Sequence, residues 1–579
     1  MPYLPRYERP LAVFLCGITL GCIDLNETTA PEATALPGTA AATASGFRWA
    51  TATPESQGMC GTSRQLGCTR TLADIWNRIS NSKFNTQRFI VIRNDKVIYD
   101  RGGTQAYPVY SSNKGLWGGP TLVHAMSSCG VHLTDKASRW LGGGAGTRWR
   151  TIYPWTAITV EHLATHTSGV CDYGNTGTVC RNENGDWQQD FERAKSGGTK
   201  YPSPNDALTI ARVRSEQNRQ PAAAPGSVDE YSNVGHGLLN YVVQQACGRK
   251  LSDIYASYIR QSGMGLPVEP ALIYTDGGRV WNQSAGIARW NGRDGAAVLR
   301  LAARLGIWDN RNVEPVRYWN EVTKITGNLP VAQSHGRGVV YYNNSTDRWT
   351  QSAGHRRLSN EMFGHDGWFS TVFLADPLTA TTIVRQGKNN APGASYLTLN
   401  GCQPGWTGTA PNCSPGTNWS NNWGVSTNTR EGDYVAGRMM VTDPLQEAFF
   451  FPPPFCRMTG AGGKTVDKVT DVYSTPSGAA TVELTAEIRV NPREGAGLSV
   501  VDRVEFYKED GSTLPRLVGT GARVTGSNPA LYRLAVSASS HGAPGTTMTY
   551  FASCVAKSTQ DGTKKVPSYS RPVRVRRTS

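Results

Sequence analysis

Beyond its first two dozen residues this chain has no apolar run long enough to cross a bilayer, which excludes a protein with several helical spans. None of its 12 cysteines stands in a Cys-x-x-Cys pair, so the common structural zinc patterns are excluded. The glycine run Gly142-Gly143-Gly144 is not followed by Lys-Ser/Thr, which makes it a turn and not a phosphate loop. His162 and His166 are spaced i, i+4, yet no carboxylate motif accompanies them, which favours packing or loop anchoring over a metal. Acidic side chains are the scarcer sign, 44 against 59 Lys and Arg, for a net charge of +15. That excess predicts affinity for anionic surfaces such as cell-wall polymers or lipid headgroups. No basic helix or aromatic-basic stripe stands out, so nucleic acid is not expected as a partner.

What is present begins with an export leader. Arg6 and Arg9 precede the apolar stretch that starts at Leu11-Ala12-Val13-Phe14-Leu15, the layout of a signal peptide over residues 1–22. Leu20-Gly21-Cys22 is similar to the end of a bacterial lipobox, although Thr19 stands where a large aliphatic is usual. A lipid on Cys22 would be the chain's one tie to a membrane. Residues 23–46, rich in Ala, Thr and Pro, read as a disordered tether. The expected location is therefore periplasmic, lipid-anchored at the outer membrane, or extracellular. Setting Cys16 and Cys22 aside from the 12 leaves ten cysteines, an even number suited to an oxidising compartment. Cys60 with Cys68, Cys171 with Cys180, and Cys402 with Cys413 are near enough in sequence to staple local loops. Cys456 and Cys554 would close the C-terminal region, and Cys129 and Cys247 remain as a pair or as two buried thiols.

Three short segments, in order, carry the chemistry: Tyr110-Ser111-Ser112-Asn113-Lys114, Tyr231-Ser232-Asn233 and Gly364-His365-Asp366-Gly367. Residues at i and i+3 share a helix face, so Lys114 Nζ can reach Ser111 Oγ and take its proton. Only a neutral amine can do so, and Lys114 is therefore expected to be desolvated or crowded by positive character. If Ser111 opens a helix, its own N–H is free to hold a developing oxyanion. Each motif is weak alone. Ser80-Asn81-Ser82-Lys83 also reads Ser-x-x-Lys, but it leads into the strand Arg88 to Arg93, the turn Asn94-Asp95-Lys96 and the return strand Val97-Ile98-Tyr99. Ser111 follows that hairpin and precedes a buried helix around Leu122 to Met126. Tyr173-Gly174-Asn175 and Tyr341-Tyr342-Asn343 match Tyr-x-Asn without the Pro225-Gly226 turn and apolar helix that flank Tyr231. Lys195-Ser196-Gly197 falls out of order.

In this order the motifs resemble the serine β-lactamase and penicillin-binding-protein superfamily, specifically its class C β-lactamase-like branch with carboxylesterases and D-amino-acid peptidases. Val131-His132-Leu133-Thr134-Asp135-Lys136 and Ile158 through Gly169 look like that branch's landmark segments, and the likeness runs over about residues 47 to 400. The resemblance implies Ser111 as nucleophile, Lys114 as its base and Tyr231 as the proton shuttle to the leaving group. Asn233 would orient substrate and lysine, His365 would flank the tyrosine, and the Trp368 N–H would complete the oxyanion hole beside Gly367. Lactamases proper usually carry lysine at the place of His365, whereas His-x-Gly is common in esterases and peptidases. The implied substrates are thus small esters or D-amino-acid peptides, with β-lactams secondary and no metal or cofactor required. The alternative is a catalytically silent scaffold for cell-wall material. The polar insertion from Cys171 to about Pro221 and the segment Trp406 to Trp423 would rim the site.

After Pro452-Pro453-Pro454 the pattern changes to short alternating runs: Thr481 to Val490, Val501 to Tyr507, Leu517 to Val524, Leu531 to Val536, Met548 to Val555 and Val573 to Val575. About seven strands in some 110 residues read as a β-sandwich, and Val504 to Tyr507 with Leu517 to Thr520 look like bacterial immunoglobulin-like modules. Such a module binds a polymer surface or spaces the enzyme. The expected architecture is α+β: a hydrolase domain over 47–455, an antiparallel sheet flanked by helices with a helical subdomain, followed by an immunoglobulin-like sandwich over 466–577.

Overall fold

The computed structural model describes residues 48–64, 67–80, 86–141, 154–170, 221, 223–227, 232–266, 288–309, 311–323, 358–359, 361–367, 371–387, 441, 444–461, 466–467, 472–476, 478–490, 498–510 and 515–578, with the backbone alone at 110, 233, 274–276, 279–281, 342–343, 366, 461 and 466–467. The leader, the tether, the insertion with Cys171 and Cys180, the Cys402 and Cys413 segment and Trp406 to Trp423 lie outside the described residues.

Nearly continuous burial along β2 (Thr86–Arg93) marks it as a central strand. Asn94 and Asp95 both take positive φ, 50° and 59°, the conformation a two-residue hairpin turn needs and these residue types tolerate. They return the chain into β3 (Lys96–Gly102), on which β1 (Ala50–Thr51) lies parallel. Later in the chain come β4 (Tyr107–Pro108), which pairs with β5 (Arg289–Trp290), and then β6 (Tyr342–Asn343), β7 (Phe363–Gly367), β8 (Thr371–Asp376) and β9 (Thr381–Gly387). The main sheet runs β1-β3-β2-β9-β8-β7-β6, antiparallel apart from its first pair.

Helices cover both faces. On one side lies α1 (Leu72–Ile79), whose Leu72, Ile75 and Ile79 join Phe89, Val91 and Phe449 in one core. On the other a larger core holds α2 (Gly119–Ser128), α3 (Val160–Ala164), α4 (Asn233–Cys247), α5 (Leu251–Ser262), α6 (Gly292–Ala303) and α7 (Val316–Thr323). A Cβ at Gly295 would collide with the Phe373 ring, so glycine sets how closely α6 lies on β8. A Cys129–Cys247 disulfide ties the C-terminal end of α2 to that of α4, and Cys60–Cys68 closes a loop before α1. The three disulfides among the described residues, the third being Cys456–Cys554, fit an oxidising, extracytoplasmic compartment. Among those residues no helix is long and apolar enough to cross a membrane.

The C-terminal strands begin with β10 (Phe455–Ala461), β11 (Val466–Asp467), β12 (Val472–Thr475) and β13 (Thr481–Arg489). They continue through β14 (Ser499–Glu509), β15 (Arg516–Thr520), β16 (Ala522–Arg523), β17 (Ala530–Ser537), β18 (Thr547–Ser558), β19 (Lys565–Tyr569) and β20 (Val573–Arg577). They form two sheets, β10-β13-β17-β16 and β11-β12-β20-β18-β14-β15, with β19 on β18. Val482, Leu484, Ala486 and Ile488 alternate inward along β13 and pack with Phe506 and Tyr550, and Cys456–Cys554 joins the two sheets. The run Leu517 to Val524, expected as one strand, splits at Gly521: β15 pairs with β14 in one sheet and β16 with β17 in the other.

This region is not a loosely tethered appendage. Asn94 Nδ2 donates to Pro567 O at 3.1 Å, and Tyr569 N–H donates back to Asn94 Oδ1 at 2.8 Å. The Arg304 guanidinium grips both oxygens of Glu509 at 2.6 and 2.5 Å, and Arg571 Nε donates to Ala303 O at 3.0 Å. Val566 is buried in the same core as Val91 and Phe449.

Candidate active site

The segment bearing Ser111 is fixed from both sides before any chemistry is considered. β4 is held on β5, and Val109 N–H donates to Ala288 O at 2.8 Å. The chain then winds through a 3₁₀ turn (Tyr110–Ser112) and a π-helical turn (Lys114–Gly118) before α2 begins. The plain helix start expected at Ser111 is thus three kinds of turn in succession. Pro120, in the first turn of α2, has no N–H to give, and the widened turn ahead of it closes with the Gly119 N–H on Lys114 O.

The winding leaves Ser111 half-buried while Ser112, Asn113 and Lys114 are sealed, Lys114 at 1 % exposure. Lys114 Nζ lies 3.2 Å from Ser111 Oγ, within hydrogen-bonding reach. The two residues between them anchor the turn. Ser112 Oγ donates to His365 O at 3.2 Å, and Asn113 Oδ1 accepts from Trp290 Nε1 at 3.1 Å. His365 is buried in β7, and Gly367 ends that strand against the turn that bears Ser111. A Cβ added at Gly367 would collide with Val109 O and sit 3.1 Å from both Ser111 N and Ser112 N. Only glycine lets β7 come this near to the Ser111 N–H.

The second motif opens α4. Ser232 is its N-cap, with Oγ accepting the Gly235 N–H at 2.8 Å, and Asn233 is the first helical residue. His236, three residues on, is buried and stacks on His166 with ring centres 6.2 Å apart. Burial first, with the nearby Lys114 and His365 adding to it, holds the His236 imidazole well below the ordinary histidine range. It is therefore neutral at neutral pH and adds no positive charge beside the lysine.

Ser111, Lys114, His365 and Gly367 are thus brought together. Asn233 opens the helix facing them, its side chain outside the described residues, as are Tyr231 and Trp368. Ser112, Asn113 and His236 were not singled out in the sequence; the one signal for His236 is its place one helical turn after Asn233. His162 and His166 each serve backbone amides: His162 Nδ1 accepts the Thr159 N–H at 3.2 Å and His166 Nδ1 the Ser232 N–H at 3.1 Å. A serine hydroxyl beside a buried amine, with a backbone N–H facing a strand-end glycine, can carry out nucleophilic acyl transfer.

A family model described as Beta-lactamase matches residues 85–395, 311 of the 579 residues. The chain belongs to the β-lactamase family. It is a β-lactamase-family serine hydrolase, and the matched region spans every strand of the main sheet but β1, the helical cluster and the segments bearing Ser111 and His365. Solved structures similar to this β-lactamase-family chain include a putative 6-aminohexanoate-dimer hydrolase from Bacillus anthracis, 16% identical over 61% of this chain and 85% of its own, TM-score 0.43. A D-stereospecific amidohydrolase from Streptomyces sp. is 17% identical over 57% and 98%, TM-score 0.37. EstA from Arthrobacter nitroguajacolicus Rue61a is 13% identical over 57% and 94%, TM-score 0.38. No curated protein matches the chain.

Proposed function

We propose that this β-lactamase-family protein is an exported hydrolase that cleaves esters or D-amino-acid amides through an acyl-enzyme on Ser111. The observation that carries the reading is the 3.2 Å approach of Lys114 Nζ to Ser111 Oγ with the amine buried. A neutral Lys114 takes the Ser111 proton as Oγ bonds to the substrate carbonyl carbon. The carbonyl oxygen becomes an oxyanion held by the Ser111 N–H and, from its place in the motif, the Trp368 N–H. The scissile C–O or C–N bond breaks as Tyr231 relays that proton from Lys114 to the departing oxygen or nitrogen. Water then attacks the acyl-enzyme and releases the acid. In this reading Asn233 orients the substrate and His365 flanks the tyrosine.

Histidine in place of the lactamase lysine at 365 favours esters and D-peptides over β-lactams. The two C-terminal sheets form, in the same reading, an immunoglobulin-like sandwich that meets cell-wall polymer. The test is a comparison of kcat/KM for p-nitrophenyl esters, D-alanyl p-nitroanilide and a chromogenic cephalosporin. The expected order puts an ester or the D-anilide first, and Lys114→Ala should lose about 10²–10⁴-fold in kcat. Cephalosporin turnover that exceeds both would refute the substrate assignment, and folded protein inert to all three would favour a silent scaffold.

A further inference from the structure

His166 combines three observations that its place in a loop does not require. It is one of the few non-glycine residues with positive φ, at 57°, a region that costs free energy unless the surroundings enforce it. It is 5% exposed, and its ring lies nearly parallel to that of His236, at 25°. Its Nδ1 accepts the Ser232 N–H, so Nδ1 carries no proton and the ring is held in a single neutral tautomer. That N–H belongs to the peptide joining Tyr231 to the N-cap of α4. Ser232 then spends its other polar groups on the same helix start: Oγ on the Gly235 N–H, and O on the His236 N–H at 3.1 Å.

We propose that His166 is a positioning residue of the acyl-transfer site, its neutral Nδ1 fixing the Ser232 amide and so the register in which the first turn of α4 faces Lys114. This inference rests on the acyl-enzyme reading above. In this role His166 acts on the site through the backbone. An amide held about an ångström out of place costs on the order of 10²-fold in rate without loss of the fold.

Two substitutions separate the acceptor from the backbone conformation. Gly accepts φ of 57° without strain but offers no acceptor, whereas Asn tolerates that φ and places Oδ1 where Nδ1 stood. Rates of Ser111 acylation by a fluorophosphonate, followed by intact-protein mass, and kcat and KM for a p-nitrophenyl ester would be measured on wild type, His166→Gly and His166→Asn. The expected result is a loss of about 100-fold in acylation rate and kcat for the glycine variant, with KM little changed. The asparagine variant should stay within about tenfold of wild type by the same argument. An asparagine variant as slow as the glycine variant, or a glycine variant as fast as wild type, would overturn the role of His166 and leave the acyl-enzyme reading standing. If the glycine variant does not fold, a folded asparagine variant with a 100-fold loss would overturn the role by itself. Wild type that takes up no probe at Ser111 would overturn the acyl-enzyme reading and this role with it.

Discussion

Gly367 is where a single added carbon tests the geometry around Ser111. Ala at that position would press on Val109 O, Ser111 N and Ser112 N together, and the turn has no slack, because Ser112 is bonded to β7 and Asn113 to Trp290. Gly367→Ala should cost about 1–3 kcal/mol in stability, as overpacking does, and on the order of 10²-fold in kcat through the displaced Ser111 N–H. Thermal unfolding and ester turnover check the two effects; full activity in the variant would remove the Ser111 N–H from the mechanism. The pairing of Ser111 with Lys114 was legible because i, i+3 spacing puts two side chains on one face in 3₁₀ and α geometry alike. The π turn was not, since it depends on how the ladder adjusts ahead of Pro120. Loop anchoring was legible for His166, but its stacking on His236 was not, because 70 residues of sequence separate partners that only the fold brings together.

Among the segments, hairpins announced themselves and long-range pairings did not. The β2–β3 hairpin has an apolar run, a turn of two residues that tolerate positive φ, and a second apolar run, so its local signals agree. Strand β19, Lys565-Val566-Pro567-Ser568-Tyr569, was passed over. It is short and contains a proline, which argues against a central strand, yet it is the strand whose backbone meets Asn94. The run from Leu517 to Val524 has no proline or asparagine to mark a break, which hid the switch of sheets at Gly521. Cys129 and Cys247 could not be paired from sequence because 118 residues separate them, and their meeting depends on how α2 and α4 pack. That bond closes a long loop, so replacing both cysteines by alanine should cost about 2–5 kcal/mol. A thermal melt of the double variant against wild type checks this; an unchanged melt would mean the helices are held by packing alone.

The contacts between the hydrolase region and the C-terminal strands predict that the two unfold together. Arg304 and Glu509 are each nearly sealed, with side chains 8% and 6% exposed, so Glu509→Ala takes the nearest partner from a buried guanidinium, leaving it Asp95 at 3.4 Å, and should cost about 1.5–3 kcal/mol. Acid should weaken the adjoining Asp95 pairs, which lie within the hydrolase region. Burial alone would raise the Asp95 carboxyl, but Arg300, with Arg304 and Lys96, outweighs it and holds the group at about 2. A folded value below the ordinary 3.8 means this stabilisation is complete above that pH and is lost as pH falls toward about 2. Asp95→Asn should lower the melting temperature at neutral pH and flatten its fall over that acid window; parallel curves for variant and wild type would contradict the assignment. At the site itself, treating wild type and Ser111→Ala with a fluorophosphonate and reading intact and peptide masses asks whether Ser111 forms the acyl-enzyme. One adduct, mapped to Ser111 and absent from the variant, is the predicted result; an unmodified wild type, or an adduct on another residue that survives in the variant, would contradict it.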